Sequence, residues 1–106
     1  MKSVQGKTVL VTGAAMGMGR LFAERAIAEG ARAVVLWDVN EKALERTVEA
    51  LSGGATAVTG YVVDVSDLEA IRASAAAVQE DVGVVEVLVN NAGVVRGNRF
   101  FWESDS

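Results

Sequence analysis

The sequence contains no cysteine, no histidine and no proline. The lack of cysteine excludes disulfides and thiolate metal sites. The lack of histidine removes the commonest general base and metal ligand, so any proton transfer falls to Tyr, Lys, Asp or Glu. No metal site and no catalytic set is expected within these residues. Positive charge is scarce as well: the net charge is −4, which argues against a nucleic-acid partner, since that would want a basic patch. No apolar run approaches the roughly 20 residues needed to span a bilayer, and Met1-Lys2-Ser3-Val4-Gln5-Gly6 lacks the apolar centre of a signal peptide. A soluble cytoplasmic protein without a membrane partner is the expectation. What the chain does have is apolar bulk. Of its 106 residues 51% are hydrophobic, enough for one domain with a real core.

The chain is organised around residues 8–19. The apolar run Val9-Leu10-Val11 is followed by Gly13, Gly17 and Gly19, and a helical pattern opens directly behind them. This is the pattern of a strand, a tight phosphate-binding turn and a helix whose start points at the ligand. Gly13 permits a turn that a side chain would obstruct. Gly17 and Gly19 allow a diphosphate, or the neighbouring strand, to approach the main chain. The first N–H groups of a helix have no partner within it and are usually capped by Ser, Thr, Asp or Asn. Ala14, Ala15, Met16 and Met18 offer no such side chain. The helix is therefore expected to start uncapped, its partial positive end available to an anion.

The remainder alternates strand and helix. The first strand is expected over Thr8–Thr12 and the first helix over 17–30, with Phe22, Ala23, Ala26 and Ile27 as its inner stripe and Gly30 as its left-handed stop. A second strand covers 33–37 and ends at Asp38. The second helix has Asn40 as N-cap, buries Ala43, Leu44, Thr47, Val48 and Leu51, and stops at Ser52-Gly53-Gly54. A third strand covers 57–63 and ends at Asp64. The third helix opens on a capping box of Ser66 and Glu69 and turns Leu68, Ile71, Ala75, Val78 and Val82 inward. A fourth strand covers 84–89, interrupted only by Glu86, and runs into Asn90-Asn91-Ala92-Gly93. Alternating strands and short-looped helices imply an α/β fold with a parallel sheet covered on both faces. Right-handed crossovers give the order 3-2-1-4. Its reversal between strands one and four is a switch point, where such sheets bind ligands.

Thr12, Asp38, Asp64 and Asn90 recur at equal intervals, which places all four near the carboxyl edge of that sheet. Asp38 lies about 20 residues beyond the last glycine of the turn, as expected of the acidic residue that holds a ribose. Its carboxylate can accept from both hydroxyls of an adenosine ribose and would repel a 2′-phosphate. Neither Val39 nor Met16 supplies a cation to offset that repulsion, so NAD is favoured over NADP. Asp64, with the Val65 backbone beside it, is a candidate for the adenine. Asn91, Ala92 and Gly93 lie across the switch point from the turn. Asn91 and Gly93 are the better candidates for cofactor contact, and Asn90 for bonding main chain.

Together, Thr12-Gly13-x-x-x-Gly17-x-Gly19, Asp38, Asp64-Val65 and Asn90-Asn91-Ala92-Gly93 resemble the short-chain dehydrogenase/reductase family, over nearly the whole chain. The resemblance implies a Rossmann-type three-layer sandwich, a nicotinamide cofactor, and hydride transfer to or from an alcohol or carbonyl. It assigns the diphosphate to Gly13, Ala15, Met16, Gly17, Met18 and Gly19, the ribose to Asp38 and Val39, the adenine to Asp64 and Val65, and the region toward the nicotinamide to Asn91, Ala92 and Gly93. Ala15 stands where many members carry a hydroxyl, and Met18 where Ile is frequent. The family's Ser and Tyr-x-x-x-Lys lie beyond its fourth strand. Here Tyr61 is followed four residues on by Val65, and Lys2, Lys7 and Lys42 belong to no such motif. The expectation is one NAD(P)-binding Rossmann domain over residues 1–106, truncated relative to the full family fold and inactive alone. Its partners would be NAD and, in a longer parent, a small alcohol or carbonyl. An exposed fourth strand, or the tail carrying Phe100, Phe101 and Trp102, would make the chain a homo-oligomer. Two other readings stay open at this level. One is a non-catalytic dinucleotide-binding or regulatory module. The other is an adenosylmethionine-dependent methyltransferase, which gives Asn-Asn-Ala-Gly no role.

Overall fold

The computed structural model describes residues 3–91. Seven elements alternate along them: β1 (Thr8–Thr12), α1 (Gly17–Ala28), β2 (Ala33–Asp38), α2 (Glu41–Leu51), β3 (Ala57–Val62), α3 (Leu68–Asp81) and β4 (Val87–Asn90). The strands form one parallel sheet in the order β3-β2-β1-β4, as expected.

The central strands are buried on both faces, which is why they read as unbroken apolar runs. Successive side chains then divide between two cores, because a strand alternates its faces. Val9, Val11, Val34 and Leu36 pack toward Ala23 and Ala26 of α1 and Ala43 and Leu44 of α2. Leu10, Val35 and Trp37 point the other way, toward Ile71, Ala75 and Val78 of α3. The result is three layers, with α1 and α2 on one side and α3 on the other.

The helix ends show how local chemistry sets the boundaries. α1 stops in a Schellman arrangement: Gly30 N–H donates to the Ile27 carbonyl at 3.0 Å and Ala31 N–H to the Ala26 carbonyl at 3.1 Å. Gly30 has φ +87°, the left-handed conformation expected of it, although the last helical residue is Ala28. Asn40 caps α2, its side chain accepting from Ala43 N–H at 3.0 Å. At α3 the expected capping box does not form. Asp67 is the N-cap and accepts from Ala70 N–H at 3.2 Å. Ser66 is engaged instead by Asp64, whose Oδ1 accepts from its hydroxyl at 2.6 Å and its N–H at 2.9 Å. With Ser66 held in that turn, the helix starts one residue later than Ser66 capping would give.

Two strands are shorter than expected. β3 ends at Val62, opposite the last residue of β2; Val63 N–H still donates to the Asp38 carbonyl at 3.0 Å, and its side chain enters the α3 core. β4 begins only at Val87. The Glu86 carboxylate accepts from Thr8 N–H at 3.0 Å while Glu86 N–H donates to the Thr8 carbonyl, also at 3.0 Å. The charged residue inside the apolar run is thus the clamp at which pairing with β1 starts. Two residues expected in the core are exposed, Phe22 on α1 and Leu68 on α3. Phe22 lies beyond the α1 stripe on the flank over β4, and among the described residues β4 pairs with β1 alone. Leu68 opens α3, above the layer that Ile71 starts to fill.

Candidate functional site

The site is built on the turn between β1 and α1. Gly13 and Gly17 have φ of +63° and +61°, conformations that side chains disfavour. Gly19 does different work. A Cβ there would lie 1.9 Å from the Gly13 carbonyl oxygen and 2.8 Å from Asn91 Nδ2. Of the two uses open to it from sequence, close approach to the strand is the one observed. This contact brings the start of α1 against the end of β1 and aims the helix end into the space above the sheet edge.

That helix end is uncapped. Met16, the N-cap residue, is extended, makes no side-chain cap bond, and no acidic residue occupies the first turn. The amides without intrahelical partners therefore sit at the positive end of the dipole with no carboxylate of the first turn against them. Met16, Gly17 and Met18 are exposed, as a ligand-facing turn requires. Ala15 is not. Its methyl is buried, its N–H donates to Asp38 Oδ2 at 2.9 Å, and its carbonyl accepts from the Thr47 hydroxyl at 2.9 Å. Both main-chain groups of Ala15 have partners within the protein, and these bonds anchor the turn. Thr47 is the anchor that sequence reasoning counted only as a core position. Its signal was a hydroxyl among the apolar positions of the α2 stripe.

Asp38 ends β2, half-buried beside the turn. Its second oxygen, Oδ1, accepts from Asn40 N–H at 3.0 Å. A carboxylate offers about four lone-pair sites, so two bonds fix its position and leave acceptor capacity for a ligand. Beside it lies a cleft of about 400 Å³, bordered by Gly13, Asp38, Val39, Asp64, Val65 and Ser66. Five of the sequence-predicted residues, from the ends of three different strands, are thus brought to one cavity. Asp64 is exposed, and hydrogen bonds from the Ser66 side chain, then its backbone, hold its carboxyl below the usual carboxylate range. It stays ionised, an acceptor at the cleft mouth.

Across the switch point the main-chain contact expected of Asn90 is made by the side chain of Asn91. Asn90 Oδ1 accepts from the Thr12 hydroxyl at 3.1 Å, a side-chain rather than a main-chain partner. Asn91 is the one that reaches main chain, Nδ2 donating to the Gly13 carbonyl at 3.4 Å while its own N–H donates to Thr12 Oγ1 at 2.9 Å. Ala92 and Gly93 lie outside the described residues, as do Phe100, Phe101 and Trp102. Tyr61 does not border the cleft. Its hydroxyl donates to Asp81 at 2.9 Å, and burial, then that bond and the charge of Asp81, push its pKa up to about 12. It is a neutral tie between β3 and α3, not a proton carrier.

A parallel sheet in this order, with helices on both faces and a glycine turn at its switch point, defines a Rossmann-type fold. Residues 7–105 match the family described as short chain dehydrogenase, and the chain belongs to that family. It is 44% identical over 104 residues to estradiol 17-beta-dehydrogenase 11 of Homo sapiens, covering 98% of this chain and 34% of that protein. A short chain dehydrogenase/reductase from Burkholderia phymatum, solved in complex with NAD, superposes with a TM-score of 0.76 at 41% identity, over 83% of this chain and 31% of that one. A short chain dehydrogenase from Mycobacterium smegmatis gives 0.81 at 39% identity, over 97% and 43%. The chain thus spans about a third of the length of the human relative. Among the described residues no helix is long and apolar enough to cross a membrane.

Thr12 is the hinge pin of this arrangement: a buried hydroxyl that donates to Asn90 and accepts from Asn91. Thr12→Val leaves both groups without that partner and is expected to destabilise the chain by about 1–3 kcal/mol in denaturant unfolding. Thr12→Ser is expected to retain most of the stability. Equal stability of wild type and Thr12→Val would show that the β1–β4 tie is not made.

Proposed function

We propose that this chain is the dinucleotide-binding portion of an NAD-dependent oxidoreductase that transfers a hydride between nicotinamide and an alcohol or carbonyl. One observation carries the reading. Asp38 is fastened to the phosphate-type turn through Ala15 N–H, so a carboxylate and an uncapped helix end stand side by side. An anion and the sugar attached to it would meet complementary groups there. In this assignment the first-turn amides at Gly17, Met18 and Gly19 receive the diphosphate, and Met16 flanks it. Asp38 accepts from the adenosine ribose with Val39 against it, Asp64 and Val65 border the adenine, and Asn91, Ala92 and Gly93 face the nicotinamide side. Bound nicotinamide would supply the hydride acceptor or donor. The relative with bound NAD supports the cofactor class. The negative charge of Asp38 supports NAD over NADP, since a 2′-phosphate would be brought against it. The chain carries no Tyr-x-x-x-Lys, so by itself it binds without turnover.

Fluorescence titration tests this. NADH is expected to bind saturably and more tightly than NADPH. Asp38→Ala removes two ribose acceptor bonds and is expected to weaken NADH by about tenfold or more. Asp38→Asn keeps one acceptor oxygen for Ala15 but drops the charge, and is expected to narrow the gap between NADH and NADPH. No NADH binding, or equal binding by wild type and Asp38→Ala, would contradict the assignment. The outer edge of β4, unpaired by another strand among the described residues, further supports self-association of the 106-residue chain. Sedimentation should show a concentration-dependent dimer or larger species, and a single monomer at high concentration would contradict it.

A further inference from the structure

The chain has three methionines, and two of them flank the uncapped turn. Thioethers are ordinarily used to fill irregular gaps in cores. Met16 and Met18 are instead 58% and 56% exposed, at the two positions that bracket Gly17. Both side chains are thus more than half exposed, which leaves them accessible to small oxidants. Met18 also borders an apolar groove of about 580 Å³ between α1 and β4, with Leu21, Phe22, Val87 and Val89. Met16 is the N-cap residue itself.

Oxidation there would change the turn in two ways. The sulfur lone pair attacks one oxygen of a hydroperoxide. The O–O bond breaks, an S–O bond forms, and the leaving oxygen takes a proton to depart as water or an alcohol. Sulfur loses two electrons to the peroxide, and the product is methionine sulfoxide, which methionine sulfoxide reductases return to the thioether. On Met16 this puts a partly negative acceptor oxygen on the cap of a helix whose positive end is otherwise unmatched. On Met18 it puts a polar group at the rim of an apolar groove. The oxygen on Met16 works directly against an anionic ligand at the turn, and Met18 adds a second polar group one residue beyond Gly17.

We propose that Met16 and Met18 form a peroxide-sensitive modification site whose oxidation weakens dinucleotide binding, and that bound dinucleotide shields both sulfurs. The inference rests on the dinucleotide reading given above. The test exposes the 106-residue chain to hydrogen peroxide with and without saturating NAD, then removes the peroxide. Peptide mass spectrometry locates added oxygen, and NADH titration reads affinity. Peptides containing Met16 and Met18 are expected to gain oxygen readily, and several times more slowly with NAD present. The oxidised chain is expected to bind NADH about tenfold more weakly, the equivalent of one hydrogen bond to a charged group. A Met16→Leu, Met18→Leu double variant, whatever its starting affinity, is expected to show no change on peroxide treatment. Unchanged NADH affinity after both sulfurs are oxidised, or oxidation unaffected by NAD, would overturn the inference and leave the dinucleotide reading standing. Failure of the untreated chain to bind NADH would overturn both.

Discussion

The arrangement depends on one contact, between the backbone of Gly19 and the backbone of Gly13. There is no space for a Cβ between them. A helix usually keeps its neighbours at the distance its side chains dictate. Here the first turn of α1 closes onto the end of β1, and the direction of the helix axis follows from that. The axis matters because the unpaired amides and the dipole lie along it. Moving the helix away by the width of a methyl group would point the same amides elsewhere. The direction of the helix end is therefore set by a packing constraint between two residues without side chains.

Around that contact the protein spends its own hydrogen bonds on holding the turn rather than on filling it. Trp37 and Asp38 at the end of β2 take Ala14 and Ala15 N–H, and Thr47 of α2 takes the Ala15 carbonyl. Asn91 beyond β4 reaches the Gly13 carbonyl. Three neighbouring elements thus converge on the stem of the turn, while Met16 at its tip makes no cap bond. A stem held by hydrogen bonds and a tip left open would suit the proposed dinucleotide site: the ordering cost would be met during folding rather than on binding. Asp38 belongs to both parts, since the bond that steadies the stem also fixes the carboxylate beside the tip.

Much of this was legible in the sequence, and for local reasons. Parallel strands under two helical layers must be apolar throughout, so β1 and β2 announced themselves. The end of α1 needs only Gly30, and the start of α2 only Asn40. What was not legible needed a partner far along the chain. Ser66 and Asp67 are both competent caps, and the choice between them is made by Asp64, which captures Ser66. Glu86 reads as a blemish in an apolar strand until Thr8 is known to face it. Phe22 has the spacing of a core residue, and its exposure depends on what stands beside β4 rather than on α1. Asn90 and Asn91 carry the same side chain, so the sequence does not tell which one turns to Gly13. The glycine motif marked the candidate turn, but the division of labour between Gly17, which shapes the tip, and Gly19, which admits the strand, required coordinates.

The most direct test of the central claim is a map of backbone amide chemical shifts, recorded while NADH is added to the isotopically labelled chain. If the uncapped end of α1 is where the diphosphate is held, the largest changes fall on the amides of Gly17, Met18 and Gly19, with smaller ones at Asp38 and Val65. Shifts concentrated on α3 or on the outer face of β3, with the first turn of α1 silent, would contradict the account.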